Sequence, residues 1–346
     1  MITIDNGELI IDDVVLKNNY LYFYKEISRG ANGIVFLALD TILERKVAFK
    51  IWLKLKPNEL RDKKKQGALE AKKQWDAKET VSKWHDEKLE NPYFIPDKGD
   101  VISISENLVG QIYYVGYYND YFYAVMEFID GITLKDFLTL NLNSKDKNMI
   151  PFGIKYNIAL KLNQYHRVFL SKNIIHGDLH WKNVMITNFT QHQLYQNKFY
   201  HTYELKIIDF GTSYFSGENV SIERSFKTLI ETINHCIFPF KLFDIKASTF
   251  PLDRNNYKEM SSWIEKQLFA LRAAFFELEQ EYVGWPLYRA YGTYEITTKG
   301  FNIETQFIKK KIEEQIKSGK IIMSREFLGE SEDWDTFDGR TAIRGD

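Results

Sequence analysis

The chain has 346 residues, 46 Lys or Arg against 47 Asp or Glu, and a formal net charge of −1 at pH 7. Hydrophobic residues make up 44% and charged residues 27%, a globular composition that excludes a disordered chain, a collagen and a coiled-coil rod. The neutral balance argues against a nucleic-acid partner, which would call for a basic excess.

At about 150 residues per domain the length predicts roughly two domains. The single cysteine, Cys236, excludes an internal disulfide framework and any multi-cysteine metal site; it is expected to be a buried structural residue. The opening MITIDNGELIIDD is acidic and has no apolar signal core, and no apolar run approaches the roughly 18 residues of a membrane span. A cytoplasmic protein with no membrane partner is expected.

In chain order, GELIIDDVV, YLYFYKEIS, GIVFLALD and KVAFKIWLK are short runs rich in Val, Ile, Tyr and Phe with turn residues between them, and they predict strands within residues 1–54. Residues 58–90 are rich in Lys, Glu and Ala, with apolar Leu69, Trp75, Val81, Trp84 and Leu89, and predict one long helix or two shorter ones ended by Pro92 and Pro96. Strands return at 101–104, 111–118 and 121–128. From Thr133 a helical period dominates: Ile154, Ile158, Leu162, Tyr165 and Phe169 share one face. Short strands follow at 183–186 and 205–210, then helices at 223–237, 256–281 and 304–317. The stretch from Ser324 carries seven Asp or Glu against three Arg. The fold class is α+β: a β-rich N-terminal part with one main helix, then a mostly helical C-terminal part.

Four segments carry chemistry. His176-Gly177-Asp178-Leu179-His180-Trp181-Lys182-Asn183 sits on a loop between a helix and a strand. There a carboxylate can take a proton from an attacking hydroxyl and an amide oxygen can bind a hard cation. In Ile207-Ile208-Asp209-Phe210-Gly211 an aspartate leaves the end of a buried strand, well placed to be a second oxygen ligand for Mg²⁺. Ser28-Arg29-Gly30-Ala31-Asn32-Gly33 lies between two strands, and its glycines let backbone approach phosphates. In Val47-Ala48-Phe49-Lys50, Ala48 is expected to face the core while the Lys50 ammonium reaches a cleft.

Taken together, these motifs resemble the protein-kinase-like superfamily, which includes eukaryotic-type protein kinases and the aminoglycoside and choline phosphotransferases. The glycine loop, V-A-x-K strand, H-x-D-L-x-x-x-N loop and D-F-G turn occur in the family's order, and Ala124-Val125-Met126-Glu127-Phe128-Ile129-Asp130-Gly131 resembles its hinge. The resemblance covers roughly residues 20–215. It implies a bilobal fold: an N-lobe over 1–126, a hinge at 127–131, a C-lobe over 132–323 and an acidic tail from 324 to 346. It implies ATP and Mg²⁺ as cofactors. Gly30, Gly33 and Lys50 would meet the phosphates, with Glu70, or failing that Glu79, as the partner of Lys50. Val35 and Ala48 would roof the adenine, Met126 would guard its pocket, and backbone groups of Glu127 and Ile129 would bond its edge. Asp178 would orient or deprotonate the acceptor hydroxyl, and Asn183 and Asp209 would hold Mg²⁺.

The sequence also departs from the protein-kinase pattern. Gly177 stands where an arginine commonly precedes the catalytic aspartate, and His180 where a lysine is usual; HGDLH is typical of antibiotic and choline phosphotransferases, and also of some bacterial protein kinases. No A-P-E follows Gly211, and helical character resumes by Ile222. The resemblance therefore implies a kinase whose acceptor is a Ser/Thr protein or, alternatively, a small-molecule hydroxyl. A nucleotide-binding scaffold is the third reading. The Lys-rich run Lys54–Lys73 reads as a solvated face, and His85, His166, His192, His201 and His235 as structural or surface residues.

Overall fold

The computed structural model of the chain describes residues 2–16, 20–30, 33–53, 63–82, 108–118, 121–140, 152–193, 199–210, 222–237, 256–283, 306–314 and 316–318. The strand expected at 101–104, the prolines 92 and 96, Gly211 and the acidic stretch from Ser324 lie outside the described residues.

The chain opens with a three-stranded meander: β1 (Ile2–Asp5), β2 (Glu8–Ile11) and β3 (Val14–Val15), in the order β1-β2-β3. Its first two-residue turn is Asn6-Gly7, with φ of 47° and 83°; its second is Asp12-Asp13, with φ of 50° and 65°. Two consecutive positive φ values match the right-handed strand twist, and Asn, Gly and Asp are the residues that tolerate them. The run GELIIDDVV is thus two strands folded at its aspartates.

Next come β4 (Leu21–Arg29), β5 (Gly33–Asp40), β6 (Arg45–Trp52), α1 (Lys63–Ser82), β7 (Ile112–Tyr118) and β8 (Tyr121–Glu127). The strands form a five-stranded sheet in the order β4-β5-β6-β8-β7, with every neighbouring pair antiparallel. Register fixes its two faces. Phe36 lies opposite Phe49, and Phe49 opposite Val125; these residues, with Ile34, Val47 and Ile51, are buried together with Leu9, Ile11 and Leu16 of the meander. Each such side chain contributes about 1.5–3 kcal/mol of transfer free energy. The opposite face carries Val35, Leu37, Ala48, Lys50, Ala124 and Met126. Ala48 therefore does not face the main core of this sheet. The period of two puts it beside Lys50, and Val47 and Phe49 take the core positions.

α1 packs on this second face, against Trp52, Ile112, Phe122 and Ala124. Its described part is a single helix, the rest of the expected 58–90 span lying outside the described residues, and its buried positions are Gly67, Glu70, Ala71, Lys73, Gln74, Ala77 and Val81. Leu69 and Trp75, apolar landmarks of the sequence, are exposed. Three polar residues of α1, Glu70, Lys73 and Gln74, are buried, so the end of the Lys-rich run is not wholly a solvated face.

The C-terminal part contains β9 (Gly131–Thr133), α2 (Leu134–Leu140), α3 (Phe152–Ser171), β10 (Val184–Gln193), β11 (Phe199–Ile207), α4 (Ile222–Cys236) and α5 (Tyr257–Val283), with a further helix over 306–314. α3 packs against α4 and α5, and Phe169, Phe210, Phe226, Ile230 and Leu268 belong to the largest apolar cluster. Cys236 is buried there as expected, and burial pushes its thiol up to about 12. This part is not purely helical. β10 and β11 extend well beyond the two short runs expected and form a sheet in the order β11-β10-β9. The segment just before β7 meets β11: the Ile207 N–H donates to the Leu108 carbonyl at 2.7 Å, and Val109 forms an isolated parallel bridge with Ile207. None of the helices among the described residues is long and apolar enough to cross a membrane.

Candidate functional site

β6 carries Lys50 on the half-buried face of the five-stranded sheet, and α1 brings Glu70 onto the same face. The Lys50 ammonium donates to Glu70 Oε1; Glu79 is exposed on α1, so Glu70 is the partner. A second donor completes Glu70: the Trp52 indole N–H bonds Oε2 at 2.7 Å. Asp209 reaches the same ammonium from beyond the end of β11, with Oδ1 3.7 Å from Lys50 Nζ. Its backbone φ is 61°, a left-handed conformation uncommon for any residue but glycine. Its carboxylate is 47% exposed, against 4% for Glu70.

One ammonium thus serves two carboxylates. Burial works against the charged lysine, but Asp209 and Glu70 outweigh it and hold its pKa above the ordinary lysine value. Burial raises the Glu70 carboxyl; Lys50 offsets part of that, and Asp209 pushes in the same direction as burial.

The loop after α3 is built on buried anchors. His176 is fully buried, with Nε2 3.1 Å from the Ile208 carbonyl and its ring against Phe210. Burial lowers its pKa, so it is held neutral. Gly177 takes φ 68°, a turn that glycine makes without strain. Leu179 is fixed at both ends of its peptide: its N–H bonds Thr228 Oγ1 at 3.2 Å and its carbonyl accepts from Thr232 Oγ1 at 3.0 Å. Between these anchors stands Asp178, half-buried. Asn183 Nδ2 donates to the Asp178 carbonyl at 2.9 Å and to its Oδ2 at 3.3 Å. The Ile208 N–H donates to the Asn183 carbonyl at 2.9 Å, which ties this loop to the strand end that presents Asp209. His180 is half-buried, and the Lys182 N–H lies 3.3 Å from its Nδ1.

The remaining expected residues divide by place. Gly30 and Gly33 close the turn after β4, where the Gly30 N–H bonds the Gly33 carbonyl at 2.9 Å. Val35, Ala48 and Met126 share the half-buried sheet face with Lys50, and Ala48 lies directly opposite Met126. Glu127 spends its N–H on the Gln111 carbonyl at 2.8 Å. Its side chain accepts from Lys206 Nζ and, at 3.2 Å, from the Gln111 N–H. A ligand edge there would have to use other backbone groups of the segment. Ile129 is half-buried next to Gly110.

Sequence reasoning missed Trp52 and Lys206. The first was legible: Trp52 is two residues beyond Lys50 on a strand, so it shares that face. Lys206 carried no signal, because its partner Glu127 lies 79 positions away in the chain.

Among the described residues there is no group of three or more His, Cys, Asp or Glu placed to hold a metal. Mg²⁺ needs fewer protein ligands than that when phosphates and water complete its shell. The donor chemistry here suits such a cation. Asn183 turns its Nδ2 to Asp178, so its amide oxygen is the atom that could meet a cation, and Asp209 could add a carboxylate oxygen beside the shared ammonium.

No family model matches the chain, and no curated protein matches it. Among solved structures, a crystal structure of a kinase domain is similar, with a TM-score of 0.46 and 13% identity, over 79% of this chain and 73% of that one. A likeness at that level assigns no activity.

Proposed function

We propose that the chain is an ATP- and Mg²⁺-dependent phosphotransferase, with the nucleotide lying between the five-stranded sheet and the loops at 176–183 and 208–210. The observation that carries this reading is the convergence of Lys50, Glu70 and Asp209, from β6, α1 and the end of β11, beside a loop in which Asn183 holds Asp178. Cation, carboxylate and amide at these positions are what phosphoryl transfer asks of a protein, since positioning and charge neutralisation supply most of its catalysis.

Lys50 places its ammonium against the α- and β-phosphates, and Glu70 keeps it there. Val35, Ala48 and Met126 offer an apolar surface to the base. Asn183 and Asp209 would hold Mg²⁺, which when bound neutralises phosphate charge. Asp178 orients the acceptor hydroxyl. The hydroxyl oxygen forms a bond to the γ-phosphorus, the bond from that phosphorus to the β–γ bridging oxygen breaks, ADP leaves with the electron pair, and the hydroxyl proton passes to the Asp178 carboxylate.

The acceptor in this reading is a Ser or Thr hydroxyl of a protein, on the strength of VAFK, DFG and the VMEFIDG segment. A small-molecule hydroxyl is the second reading. HGDLH favours it, as does the early start of α4 at Ile222, which leaves little chain after Phe210 for a peptide platform. Incubation with γ-labelled ATP, alone and with cell lysate, separates them. Label on protein supports the first and label on a metabolite the second. No transfer to either, together with no Mg²⁺-dependent nucleotide binding, would end the proposal.

A further inference from the structure

We propose that Trp52 is a positioning residue: its indole N–H holds the second oxygen of Glu70 and thereby fixes the Lys50–Glu70 pair in place for a bound nucleotide. The inference rests on the phosphotransferase reading of this site.

Three contacts converge on Trp52. Its N–H donates to Glu70 Oε2 at 2.7 Å inside the buried space between β6 and α1. The Lys50 ammonium stands 4.6 Å from its ring centroid, within cation–π range. The ring itself packs on Phe122, with centroids 5.1 Å apart. α1 comes down onto this pair of rings at Gly67, one turn before Glu70. A Cβ at Gly67 would lie 2.7 Å from Phe122 Cδ1 and 2.9 Å from Trp52 Cδ2. Glycine at that point lets the helix sit close enough for the Glu70 carboxylate to span both donors.

The geometry leaves Glu70 little freedom. A carboxylate bonded only by Lys50 could rotate, and a lysine between two carboxylates could follow Asp209 instead. With Oε2 taken by a rigid indole whose own ring is buried, rotation of Glu70 would leave both the indole N–H and a carboxylate oxygen buried and unpaired, and that is costly. Trp52 thus ties the position of α1 to that of Lys50, without itself touching the substrate.

The test compares wild type with Trp52→Phe, which keeps an aromatic ring and deletes the N–H, and with a benzothienylalanine at position 52, which keeps the bicyclic shape and replaces only N–H by sulfur. Losing a hydrogen bond to a charged group corresponds to roughly tenfold or more in rate. Both variants should lose that in kcat, with KM for ATP changed less than about threefold, since the pair then aligns less well in the transition state than in the ground state. In a Glu70→Gln background the same Trp52 change should cost less than about twofold, because residues acting through one contact are non-additive. Independently of activity, hydrogen exchange of α1 amides should accelerate at least about tenfold in both variants without nucleotide, with β4 and β5 unchanged. A benzothienyl variant with wild-type kcat overturns the clamp and leaves the phosphotransferase reading intact. Unchanged exchange in α1 overturns it as well. Were wild type to transfer no phosphoryl group at all, the phosphotransferase reading would fail and the exchange data alone would decide the clamp.

Discussion

Lowering the pH from 7 to 5 probes the burial of His166. This side chain leaves α3 and is 1% exposed, with Nε2 2.6 Å from Ser225 Oγ and its ring 4.5 Å from that of Phe226. Burial, with the neighbouring His176 acting in the same direction, pulls its pKa down to about 3. An unfolded chain binds that proton near pH 6.5. The folded pKa is the lower one, so the contribution is fully present above about 6.5 and is lost as pH falls towards about 3. At pH 5 the loss is roughly 2 kcal/mol for this one group, and its limit in stronger acid is about 5 kcal/mol. His176, also lowered by burial, contributes a loss of the same sign as pH falls below about 6.5. Urea unfolding at pH 7 and pH 5 measures the sum. His166→Gln isolates the share of His166, since a glutamine amide can still bond the Ser225 hydroxyl but takes up no proton. The variant should show a pH-dependent loss smaller by roughly 2 kcal/mol. Equal losses in both proteins would mean that His166 titrates normally in the folded state, and the packing of α3 on α4 around it would be wrong.

Other consequences concern the candidate site. Asp178→Ala should lower phosphoryl transfer at least ~100-fold, the scale of losing a general base, while the nucleotide dissociation constant stays within about threefold; labelled-ATP turnover and calorimetry read the two effects. Asp209→Ala should abolish the Mg²⁺ dependence of nucleotide binding, and a titration with unchanged affinity in Mg²⁺ would contradict its role as a ligand.

Much of this arrangement was legible in the residues. β5 and β6 are alternating and β-branched enough to be placed from period alone, and α3 shows its apolar face openly. Lys50, Asp178, Asn183 and Asp209 stand in motifs short enough to read. The rest was hidden for identifiable reasons. The buried face of α1 carries Glu70 and Gln74, whose burial depends on partners at Lys50, Trp52 and Gly110 that local pattern does not reveal. Ala48 reads as a core position from its apolar character alone, whereas the period of two puts it on the Lys50 face, the side the family resemblance also implies. The doubling of GELIIDDVV into β2 and β3 rests on two aspartates with positive φ, a conformation that composition allows without announcing. The 25 residues between Asn183 and Asp209 imply an enlarged hairpin, which the structure shows, although its polar residues hide that the strand pairing runs out to Gln193 and Phe199.

The opening meander has a consequence for how the molecule is made. Its second turn accepts from the Tyr121 hydroxyl at Asp12 Oδ2, and the Val15 carbonyl accepts from the Tyr118 hydroxyl, across 109 and 103 residues of chain. On a growing polypeptide Leu9, Ile11 and Leu16 can pack on β4 to β6 early, but these two hydroxyl bonds form only after the β7–β8 hairpin has been synthesised. Contacts so distant along the chain slow folding and lengthen the interval in which apolar strands can find the wrong partner.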